Sequence, residues 1–180
     1  MTKQHNTQYK LNEARQVLKQ YWGFEDFRSG QDQAIESVFN GQDTLVLFPT
    51  GGGKSLCYQI PALVMDGLTV VISPLVALMQ DQVEALNARG IAATFINSSI
   101  SKREVEQRLV NARNGMYNLL YCSPERLSST LWNAERERLP INMIAVDEAH
   151  CISEWGHDFR PEYRQLKDIK KRLGDVTCMA

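Results

Sequence analysis

Apolar positions along this chain change their period repeatedly. Leu11, Ala14, Val17, Leu18 and Tyr21 recur at helical spacing and predict a first amphipathic helix. Residues Gln31–Phe39 predict a second, stopped at Gly41. Thr44–Phe48 is a short continuous apolar run and predicts a buried strand, followed by a glycine loop and a helix over about Lys54–Met65. Leu68–Ile72 predicts another strand, Leu75–Arg89 a helix ended by Gly90, and Ala92–Ile96 a weaker strand. Ser101 and Glu104 have capping-box spacing and open a helix that runs to Gly115. Tyr117–Tyr121 and Met143–Val146 predict further strands, Glu162–Arg172 a last helix, and Val176–Ala180 the start of another strand.

Strands alternating with helices at this spacing imply βαβ units, hence an α/β fold: a parallel sheet with helices on both faces, in three layers. No internal repeat or low-complexity segment interrupts the pattern. The last residues, Val176-Thr-Cys-Met-Ala180, are apolar, and a domain rarely ends inside a buried strand. The expectation is a piece of a longer protein.

Composition narrows the class little further. The 180 residues suffice for one domain, and 43% apolar with 23% charged residues is ordinary for a globular chain. A net charge of −1 excludes a body that is basic everywhere, but not a local patch. Such a patch follows Phe159, where Arg160, Arg164, Lys167, Lys170, Lys171 and Arg172 cluster; a solvated helix face would read the same way. Cys57, Cys122, Cys151 and Cys178 lack metal-ligand spacing and lie in or beside apolar segments, as buried free thiols of a reducing compartment do. Residues 1–10 are polar and read as a tail without a signal peptide, and no apolar run is long enough to span a bilayer, so a cytosolic location with no membrane partner is expected.

Candidate chemistry sits at two strand ends. Pro49-Thr50-Gly51-Gly52-Gly53-Lys54-Ser55 lies between a strand and a helix. Glycines there let backbone N–H groups turn inward around phosphate oxygens, and the helix N-terminus adds partial positive charge. Lys54 can reach the outer phosphates, and the Ser55 hydroxyl can ligate Mg²⁺. The strict phosphate-loop pattern lacks its first glycine, so the match is to the helicase-type variant. At the other strand end, Asp147 and Glu148 follow Met143–Val146, on the edge where parallel sheets bind ligands. Asp147 can hold Mg²⁺ opposite Ser55, and Glu148 can orient and deprotonate a water. His150 can make a hydrogen bond that senses nucleotide state or a plain structural one. Beyond them, Trp155, His157, Phe159 and Arg160 occupy a polar loop, where the aromatics could stack on bases or belong to the core.

Asp147-Glu-Ala-His150 with Cys151-Ile-Ser-Glu-Trp-Gly-His-Asp-Phe-Arg-Pro-Glu-Tyr163 resembles the RecQ family of superfamily 2 DNA helicases. Phe24–Gln31, Pro49–Ser55, Ser73–Gln82 and Tyr121–Arg126 resemble that family's adenine-recognition, phosphate-loop and two DNA-path segments, over about residues 11–180. The resemblance implies a RecA-like P-loop fold and a DNA-stimulated, Mg²⁺- and ATP-dependent helicase moving 3′→5′ on single-stranded or forked DNA in repair and recombination, cytoplasmic and nucleoid-associated. It implies that Phe24 stacks on adenine, that Arg28 and Gln31 contact its edge, and that Trp155, His157, Phe159 and Arg160 couple DNA to hydrolysis. Ser29 stands where the family usually has proline. It further implies that residues 11–180 are the first of two RecA-like domains, the second supplying an arginine finger, with zinc, winged-helix and HRDC modules elsewhere. Alone, this chain is expected to bind ATP weakly, to hydrolyse it poorly because such a finger contributes on the order of 10³-fold or more, and not to unwind DNA. The competing readings are an RNA helicase or remodelling ATPase of the same superfamily, and a nucleotide-binding module that does not unwind.

Overall fold

The computed structural model describes residues 3–49, 51–152, 170–171 and 176–180. Its strands are β1 (Leu68–Ile72), β2 (Ala93–Ile96), β3 (Leu119–Cys122), β4 (Ile141–Val146) and β5 (Thr177–Met179). They form one parallel sheet in the order β2-β3-β1-β4-β5. The central strand β1 is buried along its whole length, as a strand covered on both faces must be. Its side chains alternate between two cores: Leu68, Val70 and Ile72 enter one, Val71 the other.

The first core is closed by α5 (Lys102–Arg113) and α6 (Thr130–Glu135), through Val105, Leu109, Ala112 and Trp132. The second is closed by α2 (Gln31–Phe39), α3 (Lys54–Val64) and α4 (Val76–Ala88), through Ala34, Val38, Cys57, Ala62, Met79, Val83 and Leu86. The expected three-layer α/β/α architecture is therefore present. Helix α1 (Lys3–Trp22) lies outside it and packs Leu11, Ala14 and Leu18 on Ile35 and Ile60. The predicted capping box is formed: Ser101 accepts from the Glu104 N–H at 3.2 Å, and the Glu104 carboxylate accepts from the Ser101 N–H at 2.9 Å. Cys57, Cys122 and Cys151 are buried, whereas Cys178 is half-buried, and burial pushes the Cys57 thiol up to about 12. Among the described residues no helix is long and apolar enough to cross a membrane.

Three expectations change. The polar tail is helical from Lys3, and buried Thr7 donates its hydroxyl to Asn40 at 2.8 Å. Thr44–Phe48 is not a buried strand. Thr44 alone bridges Met179, Val46 donates to Ala180 at 2.7 Å, and Leu45 and Leu47 are 67% and 81% exposed. Val46 and Phe48 pack inward while Leu45 and Leu47 face out, so a continuous apolar run here marks an edge segment with one covered face. Helix α6 lies where no element was expected; its six residues are held by the Ser129 cap and the buried Trp132. The expected Glu162–Arg172 helix lies outside the described residues, apart from Lys170 and Lys171.

Candidate nucleotide site

The C-terminal edge of β4, the start of α3 and the edge segment Leu45–Phe48 enclose a cavity of about 740 Å³. Lys54, Tyr58, Asp147, Glu148 and His150 line it. It lies where open parallel sheets hold ligands, beyond the carboxyl ends of their strands.

The loop that leads into Lys54 needs glycines for steric reasons. A Cβ on Gly52 would stand 2.8 Å from the Pro49 carbonyl and 2.9 Å from the Phe48 Cβ. Gly53, with φ +80°, caps α3, and a Cβ there would stand 2.4 Å from Gln31 Nε2. At Gly52 and Gly53 the loop is thus folded too tightly for side chains.

Two candidate base-reading residues hold this loop from behind. Gln31 is buried; its Oε1 accepts from the Arg28 N–H at 2.8 Å and its Nε2 donates to the Gly53 carbonyl at 3.1 Å. Arg28 donates from Nη1 to the Gly51 carbonyl at 2.9 Å. Phe24 is 48% exposed, an open ring face nearby in the chain. Thr50 lies outside the described residues.

Asp147 continues β4, its N–H donating to Ile72 at 2.8 Å. Glu148 has φ +53°, the one positive value among described non-glycine residues. Left-handed backbone is costly for a residue with a Cβ and clusters at functional sites. Here it turns the chain sharply, so that both carboxylates line the same cavity, and the turn is closed by the Cys151 N–H donating to the Glu148 carbonyl at 2.9 Å. His150 Nδ1 lies 3.2 Å from Glu148 Oε2. Burial, and then the Glu148 charge, raise the Asp147 carboxyl above its ordinary range, against the Glu148 N–H, Lys54 and His150, which lower it. A hard oxygen donor whose ionised form is disfavoured in this way is suited to a divalent cation, which would restore the charged form. Ser55, on the first turn of α3, offers a second oxygen. The donor set fits Mg²⁺.

Lys54, Asp147, Glu148 and His150 are therefore brought together as the sequence suggested. Tyr58 and the two exposed leucines were not anticipated. Tyr58 stands three residues after Ser55 on one helix face, a spacing that could have pointed to it. Trp155, His157, Phe159 and Arg160 lie outside the described residues.

The family model described as DEAD/DEAH box helicase matches residues 28–179. An ATP-dependent DNA helicase RecQ from Bacillus subtilis (strain 168) is 50% identical over 166 residues, covering 92% of this chain and 28% of that protein. An ATP-dependent DNA helicase RecQ from Haemophilus influenzae is 50% identical over 167 residues, covering 93% of this chain and 27% of its own length. This chain thus spans little more than a quarter of these relatives. Among solved structures, the DUF1998 helicase MrfA bound to DNA superposes with a TM-score of 0.70 at 22% identity, over 94% of this chain and 25% of MrfA, a likeness of fold.

Proposed function

This chain belongs to the DEAD/DEAH box helicase family, and from that premise we propose that it is the ATP-binding motor domain of a RecQ-type DNA helicase. The observation that carries the reading is the convergence of Lys54, Asp147 and Glu148 on one cavity at the sheet edge, with the glycine loop immediately before Lys54.

Each side chain then has a task. Backbone N–H groups of Gly51–Gly53 and the α3 N-terminus cradle the phosphates. Lys54 neutralises charge on the outer phosphate oxygens as the terminal bond breaks. Ser55 and Asp147 would hold Mg²⁺, which would supply further charge neutralisation. Glu148 orients the attacking water and accepts its proton, and His150 holds the Glu148 carboxylate in place. Phe24 stacks on the base with Arg28 at its edge, whereas buried Gln31, its amide bonded to Arg28 and Gly53, acts by propping the phosphate loop rather than by touching the base. Residues Ser73–Gln82 and Tyr121–Arg126 line the DNA path, and Trp155, His157, Phe159 and Arg160 couple it to hydrolysis; base–aromatic stacking is worth about 1–3 kcal/mol and tolerates any sequence. In the full-length protein a second RecA-like domain would close the cleft. Single-stranded and forked DNA would be the substrates, in the cytoplasm at the nucleoid, serving repair and recombination. The 50% identity to RecQ proteins supports DNA over RNA.

The test is ATPase activity of the full-length protein with single-stranded DNA, with RNA or with neither. DNA should stimulate it; stimulation by RNA alone would overturn the DNA assignment. In that protein Trp155→Ala and Arg160→Ala should reduce DNA-stimulated hydrolysis far more than ATP binding. Equal losses in both would show those residues to be structural.

A further inference from the structure

Residues 97–99 join the two segments assigned to the DNA path, Ser73–Gln82 and Tyr121–Arg126, yet belong to neither. The strands β1, β3 and β2 end side by side, with Ile72 paired to Cys122 and Cys122 to Ile96. Backbone bonds carry this register one residue further. The Ser73 N–H donates to the Cys122 carbonyl at 3.1 Å, the Ser123 N–H to the Ile96 carbonyl at 3.1 Å, and the Asp147 N–H to the Ile72 carbonyl at 2.8 Å. Asn97, Ser123, Ser73 and Asp147 therefore form one row along the carboxyl edge of the sheet. Asn97 stands at its far end, three strand spacings or roughly 14 Å from Asp147.

Asn97 is 0% exposed, and it is bonded to both segments. Ile96 enters the first core, so Asn97, one residue on, faces α4. Its Nδ2 donates to the Met79 sulfur at 3.7 Å, and its Oδ1 accepts from the Ser99 N–H at 2.9 Å and from the Ser99 hydroxyl at 2.6 Å. The Ser99 hydroxyl in turn accepts from Gln80 Nε2 at 3.1 Å, so side chain and neighbour together hold α4. From the other segment, Arg126 donates to the Asn97 carbonyl from Nε at 3.0 Å and from Nη2 at 2.7 Å. Arg126 belongs to the turn Pro124–Ser128 that follows β3. A guanidinium fork that could take a phosphate is thus turned onto protein backbone. An apolar residue would fill the Asn97 position without partners, whereas a buried amide is tolerated only when satisfied, and here α4 and residue 99 satisfy it.

We propose that Asn97, acting with Ser99, is a positioning residue for single-stranded DNA: it sets the spacing between α4 and the Pro124–Ser128 turn, the elements that would line the strand. This rests on the DNA reading of those two segments. Asn97 is buried and touches no DNA; it acts through the placement of Gln80 and Arg126. Its distance from Asp147 confines the effect to the DNA side and leaves the ATP site as it is.

The test is an ATPase titration of the full-length protein with single-stranded DNA. It reads the DNA concentration that gives half-maximal stimulation, the rate without DNA and the KM for ATP. Ser99→Ala removes the hydroxyl that links Asn97 to Gln80, at an exposed position with little risk to folding. Asn97→Ala removes the buried amide. Each should raise the half-maximal DNA concentration by about 3–10-fold, the effect of one or two hydrogen bonds, with the rate without DNA and the KM for ATP unchanged. Ser99→Thr keeps the hydroxyl and should match the parent. The double variant should be no worse than Asn97→Ala, because both changes act on one network; if Asn97→Ala does not fold, the two Ser99 variants decide. A parent-like DNA response of Ser99→Ala, a Ser99→Thr as impaired as Ser99→Ala, or equal losses with and without DNA would overturn the positioning role. Additive losses in the double variant would show Ser99 acting on DNA by itself and would overturn it too. A parent protein that DNA does not stimulate would refute the DNA reading, and the positioning role with it. A stimulated parent with unaffected variants would refute the positioning role alone.

Discussion

Replacing Gly53 by alanine would place a methyl group 2.4 Å from Gln31 Nε2, at a residue whose φ is +80°. Two costs add. The left-handed backbone costs a residue bearing a Cβ about 1–2 kcal/mol. The carboxamide must also withdraw, which breaks the 3.1 Å bond to the Gly53 carbonyl, worth about 1 kcal/mol net. The sum is about 2–3 kcal/mol, which in a chain of this size lowers the melting temperature by roughly 5–10 °C. Gly51→Ala supplies the control: its φ is +78°, but nothing lies within 4 Å of a Cβ there, so only the backbone cost of about 1–2 kcal/mol applies. Thermal denaturation by circular dichroism reads both. A second variant isolates the clash. In a Gln31→Ala background the methyl meets no carboxamide, so Gly53→Ala should cost less than it does alone, with a coupling of about 1 kcal/mol. Equal losses for Gly51→Ala and Gly53→Ala, together with additivity in the double variant, would refute the view that Gln31 props the phosphate loop.

Two further outcomes follow from the same geometry. Because burial and Glu148 raise the Asp147 carboxyl, the folded chain retains a proton that the unfolded chain has released, so stability falls as pH rises from the ordinary aspartate value through the raised one. Without nucleotide, Asp147→Asn should melt above the parent at pH 7, with the gap closing as pH falls below the ordinary value; a gap that does not vary with pH in a scanning-fluorimetry series would contradict this. Trp132 is 1% exposed in the core on the sheet face away from α3, so Trp132→Ala should cost about 3–5 kcal/mol in chemical denaturation yet leave ADP affinity unchanged well below its melting temperature. A parallel loss of affinity would show that the two faces are coupled.

Much of the molecule is legible in the order of its residues. The spacing of Leu11, Ala14 and Leu18, the β-branched, largely apolar run of Leu68–Ile72 and the Ser101–Glu104 pair each specify their own local structure, because period and capping act over a few residues. The glycine loop ending in Lys54-Ser55, and Asp147-Glu148 at the end of a strand, are local in the same sense. Exposure of Leu45 and Leu47 is not local: it depends on which strand lies beside the segment and what covers its outer face. Nor is the left-handed turn at Glu148, which is maintained by the bonds around it. The contacts of Gln31 with Gly53, and of Gln59 with Tyr121 and Gln82, join residues 22, 62 and 23 positions apart, and no periodicity marks them. By itself the sequence determined most of the described helices, the parallel strands and the candidate groups for handling a nucleotide. The tertiary structure decided which of those groups share a cavity and what props them from behind, because burial and long-range hydrogen bonds exist only once the layers have closed.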